Sequence, residues 1–301
     1  MNNGILLTGA NGFVGSYLCS LLNEYYNIFG IYRNSCRQIA SLEKVTCIQA
    51  DLGKDNLEAI YKLISKSEIR TIVHLAANIN VNEKSDNIVQ ENLMSLNATL
   101  LLAKKLNVEH FIYFSSIGVY GTKHKGSINI ESPTNCESFY HLSKLKGEQL
   151  LYSFCSEQRN IIPLVFRLSS PVGIGMRDSL FLPTVIKSAM ANKKIVLYGK
   201  GQRVQNYIDV RDIVNILKSS IRSRLSGTHN LVSPKSYSNK EVAEICKNIL
   251  SSRSQIVYKG NDIHDEESWV FDCERIKEIS FDYDLSDSVL WIAKHYENSG
   301  I

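Results

Sequence analysis

The segment LLTGANGFVGSYL, Leu6 to Leu18, restricts the fold more than any other part of the chain. Gly9, Gly12 and Gly15 recur every third residue behind the apolar run Ile5-Leu6-Leu7. Ahead of them Val14, Leu18, Leu21, Leu22 and Tyr25 fall on one helical face. The first two glycines permit a tight turn and close backbone approach, and the third lets the helix lie against the strand. The helix then offers unpaired N–H groups and the positive end of its dipole to an anion. A plain strand-to-helix turn is the alternative. The strand before and the amphipathic helix after favour a phosphate cradle.

The same alternation continues through the first half. Strands are expected at Ile5–Thr8, Ile28–Tyr32, Val45–Gln49, Thr71–Leu75, His110–Ser115 and Ile161–Arg167, and helices at Leu57–Ile64, Ile88–Leu106 and Tyr140–Gln158. Asp55 and Glu58 form a candidate capping pair for the Leu57 helix. Such a pattern implies an α/β fold, a doubly wound parallel sheet covered on both faces. Its ligand site lies outside the carboxyl ends of the strands, where the glycines sit and where residues after Leu75 and Ser115 emerge. After Arg167 the pattern turns irregular, with a helix near Leu180–Ala191, a strand at Ile195–Tyr198 and Asp209 capping Val210–Arg222. Ser238 and Glu241 form a capping box for a helix through Leu250, and a last helix spans Asp287–Tyr296. The expected division is a dinucleotide-binding domain over 1–168, with 208–230 packing back onto it. A smaller, partly discontinuous α/β substrate domain then takes 169–207 and 231–301.

Composition narrows the function. Of 301 residues, 34 are basic and 30 acidic, a net +4 that argues against nucleic acid as partner. No apolar run approaches the ~18 residues needed to span a bilayer. The N-terminal MNNGILLTGANG lacks the layout of a secretory signal. Seven cysteines, an odd count without a CxxC pair, fit reduced thiols in a cytoplasmic protein and no metal site.

The glycine spacing is G-x-x-G-x-x-G, and TGANGFVG resembles the extended branch of the short-chain dehydrogenase/reductase superfamily, also called the NAD-dependent epimerase/dehydratase family. Further motifs follow in that family's order: Asp51-Leu52, HLAAN (His74–Asn78), Asn92, SSIGVYG (Ser115–Gly121), YHLSK (Tyr140–Lys144) and GKGQRVQNYIDVRDI (Gly199–Ile213). The resemblance implies a Rossmann fold and a dinucleotide held by Gly9, Asn11, Gly12, Phe13, Val14, Gly15, Asp51, Leu52, Leu75, Ala76 and Ala77. Asn92, Ser115, Tyr140, Lys144, Leu168, Ser170 and Pro171 complete the expected cofactor set. It implies Tyr140 as general acid/base, Lys144 as its partner and holder of the nicotinamide ribose, and Ser116 as the hydroxyl that orients substrate. Ser116 is preferred to Ser115 because it lies three residues before Val119-Tyr120-Gly121. Tyr140 and Lys144 stand one helical turn apart, so the ammonium is expected to lower the phenol's pKa.

An NAD site ends its second strand in Asp or Glu, which accepts from the ribose 2′-OH. Here FGIYRNS (Phe29–Ser35) has no acid; Arg33 and Asn34 stand there, with Ser35 and Arg37 behind. Arginine suits a 2′-phosphate, so NADP is expected, with NAD as the alternative. By resemblance the substrate is a nucleotide sugar worked on at C4. Two family arginines are missing: Gln205 takes the place of one, and NDIHDEE lacks the other. Arg177 and Arg203 are the candidates to bind the pyrophosphate instead. Ile117 and Gly118 follow Ser116 where dehydratases of the family carry acids, which disfavours a dehydratase. The cysteine of the GDP-fucose synthase type is also absent at 118. His141 is read as a packing or surface residue, and Cys136 receives no role. The expected activity is NADPH-dependent reduction of a nucleotide-linked 4-keto-6-deoxyhexose. A 4-epimerase with tightly bound NAD is the alternative, and a non-catalytic dinucleotide sensor the third reading. A homodimer through Ile88–Leu106 and Tyr140–Gln158 is implied by the same resemblance.

Overall fold

The computed structural model describes residues 4–80, 85–122, 124, 126–272 and 280–300. The elements begin with β1 (Gly4–Thr8), α1 (Phe13–Leu22), β2 (Asn27–Tyr32), β3 (Val45–Gln49), α2 (Leu57–Ile64), β4 (Ile69–His74) and α3 (Asn87–Leu106). Then come β5 (His110–Ser116), a 3₁₀ turn over Ile117–Tyr120, α4 (Phe139–Glu157) and β6 (Ile162–Leu168). Beyond them lie β7 (Ser170–Val172), α5 (Phe181–Met190), β8 (Ile195–Tyr198), β9 (Val204–Asp209), α6 (Val210–Ser223) and β10 (Gly227–Leu231). The chain closes with β11 (Ser236–Ser238), α7 (Asn239–Ile249), β12 (Ile256–Lys259) and α8 (Leu285–Asn298). Two compact units result. The first comprises Met1–Gly121, Pro133–Leu168 and Val214–Asn230; the second comprises Thr122–Ser132, Ser169–Ile213 and Leu231–Ile301.

The central sheet has the order β3-β2-β1-β4-β5-β6-β10, and its pairings from β3 to β6 are parallel. The chain winds outward from β1 to β3, then crosses to β4 on the other side of β1. That reversal is the topological switch point of a doubly wound Rossmann sheet. Thr8 pairs with His74 across it, so the loops after β1 and β4 leave the sheet side by side. Every residue of β1 is buried, as a parallel strand covered on both faces requires. Leu6, Ile31, Ile72, Phe111 and Val165 of the strands join Leu96, Leu100 and Ala103 of α3 and Leu151 of α4 in one apolar core.

Local differences from the sequence expectations have physical causes. The buried face of α1 is Val14, Gly15, Leu18, Cys19 and Leu22. Leu21 and Tyr25 are exposed, because the helix ends at Leu22 and its inward stripe is set by Gly15 lying on the loop. Asn56, not the Asp55/Glu58 pair, caps α2, accepting from Glu58 N; the Asp55 carboxylate instead turns back to Asp51 N at 2.6 Å. Cys19, Cys36, Cys47, Cys136, Cys155 and Cys246 are unpaired thiols, and Cys273 lies outside the described residues. No described helix is long and apolar enough to cross a membrane.

In the second unit the stretch expected to be irregular contains β7 and β9, which form a sheet of order β11-β9-β7. Short strands of mixed polarity such as VQNYID give little period-2 signal, so pairing decided them. Asp209 caps α6 through Arg211 N, at 2.8 Å, and also grips the Arg211 guanidinium, which lies between the rings of Tyr283 and Trp291. The Ser238/Glu241 capping box forms as its spacing dictates, and Asp284/Asp287 form a second one on α8.

Candidate active site

The first unit assembles its site at the carboxyl ends of β1, β4 and β5. Gly9 has φ +73, and a Cβ there would press to 2.9 Å from Ala76 N in the neighbouring loop. A Cβ on Gly15 would overlap the Gly9 carbonyl. Gly12 caps α1 with no side-chain hydrogen bond, and the first turn, opened by Phe13 and Val14, carries no acid. A cradle without side chains beneath open N–H groups fits a dinucleotide pyrophosphate. Asn11 Oδ1 accepts from Gln38 N at 3.2 Å, tying this turn to the loop that carries Arg33 and Asn34.

Behind the cradle, Thr8 and His74 hydrogen-bond at 3.0 Å, and Thr8 Oγ1 accepts from Ala76 N at 3.2 Å. Thr8 Oγ1 thus links the His74 ring to the backbone of the following loop. Burial, with Lys144 nearby, pulls the His74 pKa down to about 3, so the ring stays neutral. Leu75 N adds a 3.3 Å bond to the Thr8 carbonyl, and the chain runs on through Ala76 and Ala77. Asn92 of α3 then holds the next residue: its Oδ1 accepts from Asn78 N at 2.7 Å and its Nδ2 donates to Asn78 O and Ser143 Oγ at 3.0 and 2.8 Å. Those bonds make Asn92 a brace between the β4 loop and α4.

Helix α4 buries a largely polar stripe: Ser143, Lys144, Gly147, Glu148, Leu151 and Cys155. Glu148 receives the Ser115 hydroxyl at 2.5 Å and the Arg167 guanidinium through three contacts of 2.8 to 3.3 Å. Arg167 also donates to Tyr120 OH at 2.9 Å, and Tyr120 donates to Asn230 Oδ1 at 2.7 Å. Ser115, Glu148 and Arg167 are all buried, so each charge here is neutralised and hydrogen-bonded. The Ser115 hydroxyl is thus committed to holding β5 against α4. Sequence reasoning passed over Glu148 and Arg167. Glu148 one turn beyond Lys144, and an arginine inside an apolar strand, were the available signals.

Ser116, next on β5, caps the 3₁₀ turn, its Oγ accepting from Gly118 N at 3.1 Å. Lys144 Nζ donates to the Phe114 carbonyl at 2.8 Å and lies 5.8 Å from the centre of the Tyr140 ring. Burial, opposed by Glu148, lowers the Lys144 pKa to about 7. Burial also pushes the Tyr140 phenol up to about 12. The expected lowering of that pKa by Lys144 is not found: desolvation outweighs an ammonium that is turned toward a carbonyl. At neutral pH the Tyr140 phenol is therefore protonated. His141, expected to pack or to lie at the surface, packs. Its half-buried ring lies 5.3 Å from that of Tyr140 and against Gly118, where a Cβ would overlap the imidazole.

Arg33 and Asn34 are exposed at the end of β2, with the Arg33 carbonyl held by Gln49 Nε2 at 3.1 Å. Asp51 follows β3 and pairs with Lys54 at 3.4 Å, while Leu52 is buried in the core. Leu168 ends β6. In the second unit Ser170 and Pro171 lie in β7, paired with Tyr207 and Ile208. Arg177 is exposed in that unit, and Arg203 is paired with Glu267 at 3.0 Å.

Comparison with known proteins gives a consistent likeness. The model of the NAD dependent epimerase/dehydratase family matches residues 5–232. A dTDP-D-glucose 4,6-dehydratase of Dictyostelium discoideum is 26% identical over 272 residues, which are 81% of this chain and 62% of that longer protein. A UDP-glucose 4-epimerase of Thermotoga maritima, solved with UDP-glucose, superposes with a TM-score of 0.86 at 18% identity, covering 99% of this chain and 100% of that one. A dTDP-glucose 4,6-dehydratase of Bacillus anthracis, solved in complex with NAD, gives 0.82 at 21% identity over 98% of this chain and 97% of that one.

Proposed function

The chain belongs to the NAD dependent epimerase/dehydratase family, a family of enzymes, and from that membership we propose that it reduces a nucleotide-linked 4-keto-6-deoxyhexose at C4 with NADPH. The observation that carries the NADPH half is Arg33, exposed at the end of β2 where an NAD site would place a carboxylate. Gly9, Asn11, Gly12, Phe13, Val14 and Gly15 would seat the pyrophosphate, Asp51 and Leu52 the adenine, and Leu75, Ala76 and Ala77 the inner face of the dinucleotide. A bound nicotinamide supplies the hydride.

The chain's own residues handle the oxygen and its proton. Ser116 orients and polarises the C4 carbonyl. Tyr140, held protonated by burial, gives its phenolic proton to the oxygen as it becomes an alkoxide. Lys144 stabilises the phenolate left behind. Glu148 keeps a negative charge near Lys144, and Asn92 braces the loop beside it. Arg177 and Arg203 are proposed for the substrate pyrophosphate, Arg203 only on leaving Glu267.

The test offers purified protein a panel of 4-keto nucleotide sugars with NADPH or NADH. NADPH oxidation with formation of the C4 alcohol is expected. Replacing Arg33 by Asp should cut the preference for NADPH over NADH by about 10–100-fold, the worth of a hydrogen bond to a charged group. Tighter use of NADH by the unaltered protein would sink the NADPH assignment. A second reading, a nucleotide-sugar 4-epimerase retaining NAD, is supported by the Thermotoga relative. Formation of a C4 epimer from a UDP-hexose without added cofactor would select it.

A homodimer is part of the proposal. Met94 and Leu101, 52% and 41% exposed, lie two turns apart on one face of α3. Sedimentation at micromolar concentration showing only a 34.0 kDa species would rule it out.

A further inference from the structure

Position 118 has no side chain, and the space it leaves is filled from elsewhere. The His141 imidazole, carried by the first turn of α4, stands where a Cβ of residue 118 would go. The same Gly118 donates its N–H to Ser116 Oγ at 3.1 Å, and the His141 ring neighbours the Tyr140 ring at 5.3 Å. The imidazole therefore packs against the turn that Ser116 caps and beside the Tyr140 ring. His141 is half-buried, and neither ring nitrogen makes a hydrogen bond among the described residues. Burial, opposed by Glu137, lowers its pKa from the ordinary histidine value, so the neutral base is the form present at pH 7. A ring used only for packing could be a leucine or phenylalanine; a half-buried imidazole with free nitrogens beside an acid/base tyrosine offers a second site of proton transfer.

We propose that His141 is a second acid/base residue of this site, taking and returning the proton on the sugar carbon next to the C4 carbonyl. The inference rests on the reading of C4 as the reacting carbon. A carbonyl acidifies the hydrogens on the carbons flanking it. A nitrogen lone pair of His141 takes one such proton. The C–H electron pair becomes the C=C bond of an enolate, and its charge settles on the C4 oxygen held by Ser116 and Tyr140. The imidazolium exchanges its proton with water and returns one to carbon, so no oxidant or reductant enters and the atoms balance. Gly118 is then a requirement of the device, since any larger residue displaces the ring.

The experiment incubates a nucleotide-linked 4-keto-6-deoxyhexose in D2O with the protein, first without and then with NADPH, and reads deuterium at the carbons beside C4 by NMR. The unaltered protein should exchange one flanking position far faster than buffer. His141→Gln should slow that exchange by at least about 100-fold, the typical worth of a positioned acid/base, while C4 reduction stays within a few-fold. Gly118→Ala should lose exchange in the same way. Equal exchange by His141→Gln, or C4 reduction by the unaltered protein without exchange above buffer, would overturn the role of His141 and leave the C4 reading intact. Absence of both exchange and C4 chemistry would overturn the two together.

Discussion

Tyr140→Phe is expected to lower kcat for C4 reduction by about 10²–10⁴-fold, the range set by loss of a positioned proton donor. KM and cofactor affinity should change little, because the ring remains and only the hydroxyl is lost. The reason for so large an effect is the environment. Burial holds the phenol at about 12, so it is protonated at neutral pH. It then becomes the stronger acid only as negative charge develops on the substrate oxygen. Lys144, at about 7 because of its own burial, holds less than a full charge at pH 7.5, so phenolate stabilisation should weaken as pH rises through that value. The Phe variant should show no such limb. Rates for Tyr140→Phe within a few-fold of the unaltered protein would remove Tyr140 from the chemistry.

Glu148→Ala should destabilise the first unit by about 3–5 kcal/mol, the usual cost of stranding one partner of a buried ion pair. Arg167 would keep its guanidinium in the core with only Tyr120 to bond, and Ser115 would lose its acceptor. Urea unfolding with the midpoint and slope both measured reads this directly. Replacing the pair together, Glu148→Leu with Arg167→Met, should recover most of the loss, because no unpaired charge remains. A loss below about 1 kcal/mol for Glu148→Ala would show that the pair is solvated and not buried. The double variant serves a second purpose. If it folds but is slow, the network matters for placing Ser116 and Lys144 as well as for stability.

Much of this was legible beforehand because it is local. The glycine turn, the six parallel strands of the first half, the capping box at Ser238 and the helical spacing of Tyr140 and Lys144 depend on residues within a turn or two of each other. The parallel strands stood out because they are buried on both faces and read as short apolar runs. What was misread depends on distance in sequence. Glu148 drew no reading at all, yet it binds Ser115, 33 residues away, and Arg167, 19 away. β7 and β9 have no periodic signature and exist because they pair.

The sequence alone therefore determined the doubly wound sheet and the glycine turn at its switch point, since both follow from short-range sterics and hydrophobic periodicity, while the order of its motifs carried the resemblance to the family. Only the tertiary structure decided the protonation of the site. The burial of Tyr140 and Lys144, the turn of the ammonium toward Phe114, and the seating of His141 in the space left by Gly118 all depend on which surfaces pack together. Desolvation and long-range contact set pKa values, and neither is written in the spacing of residues along a chain.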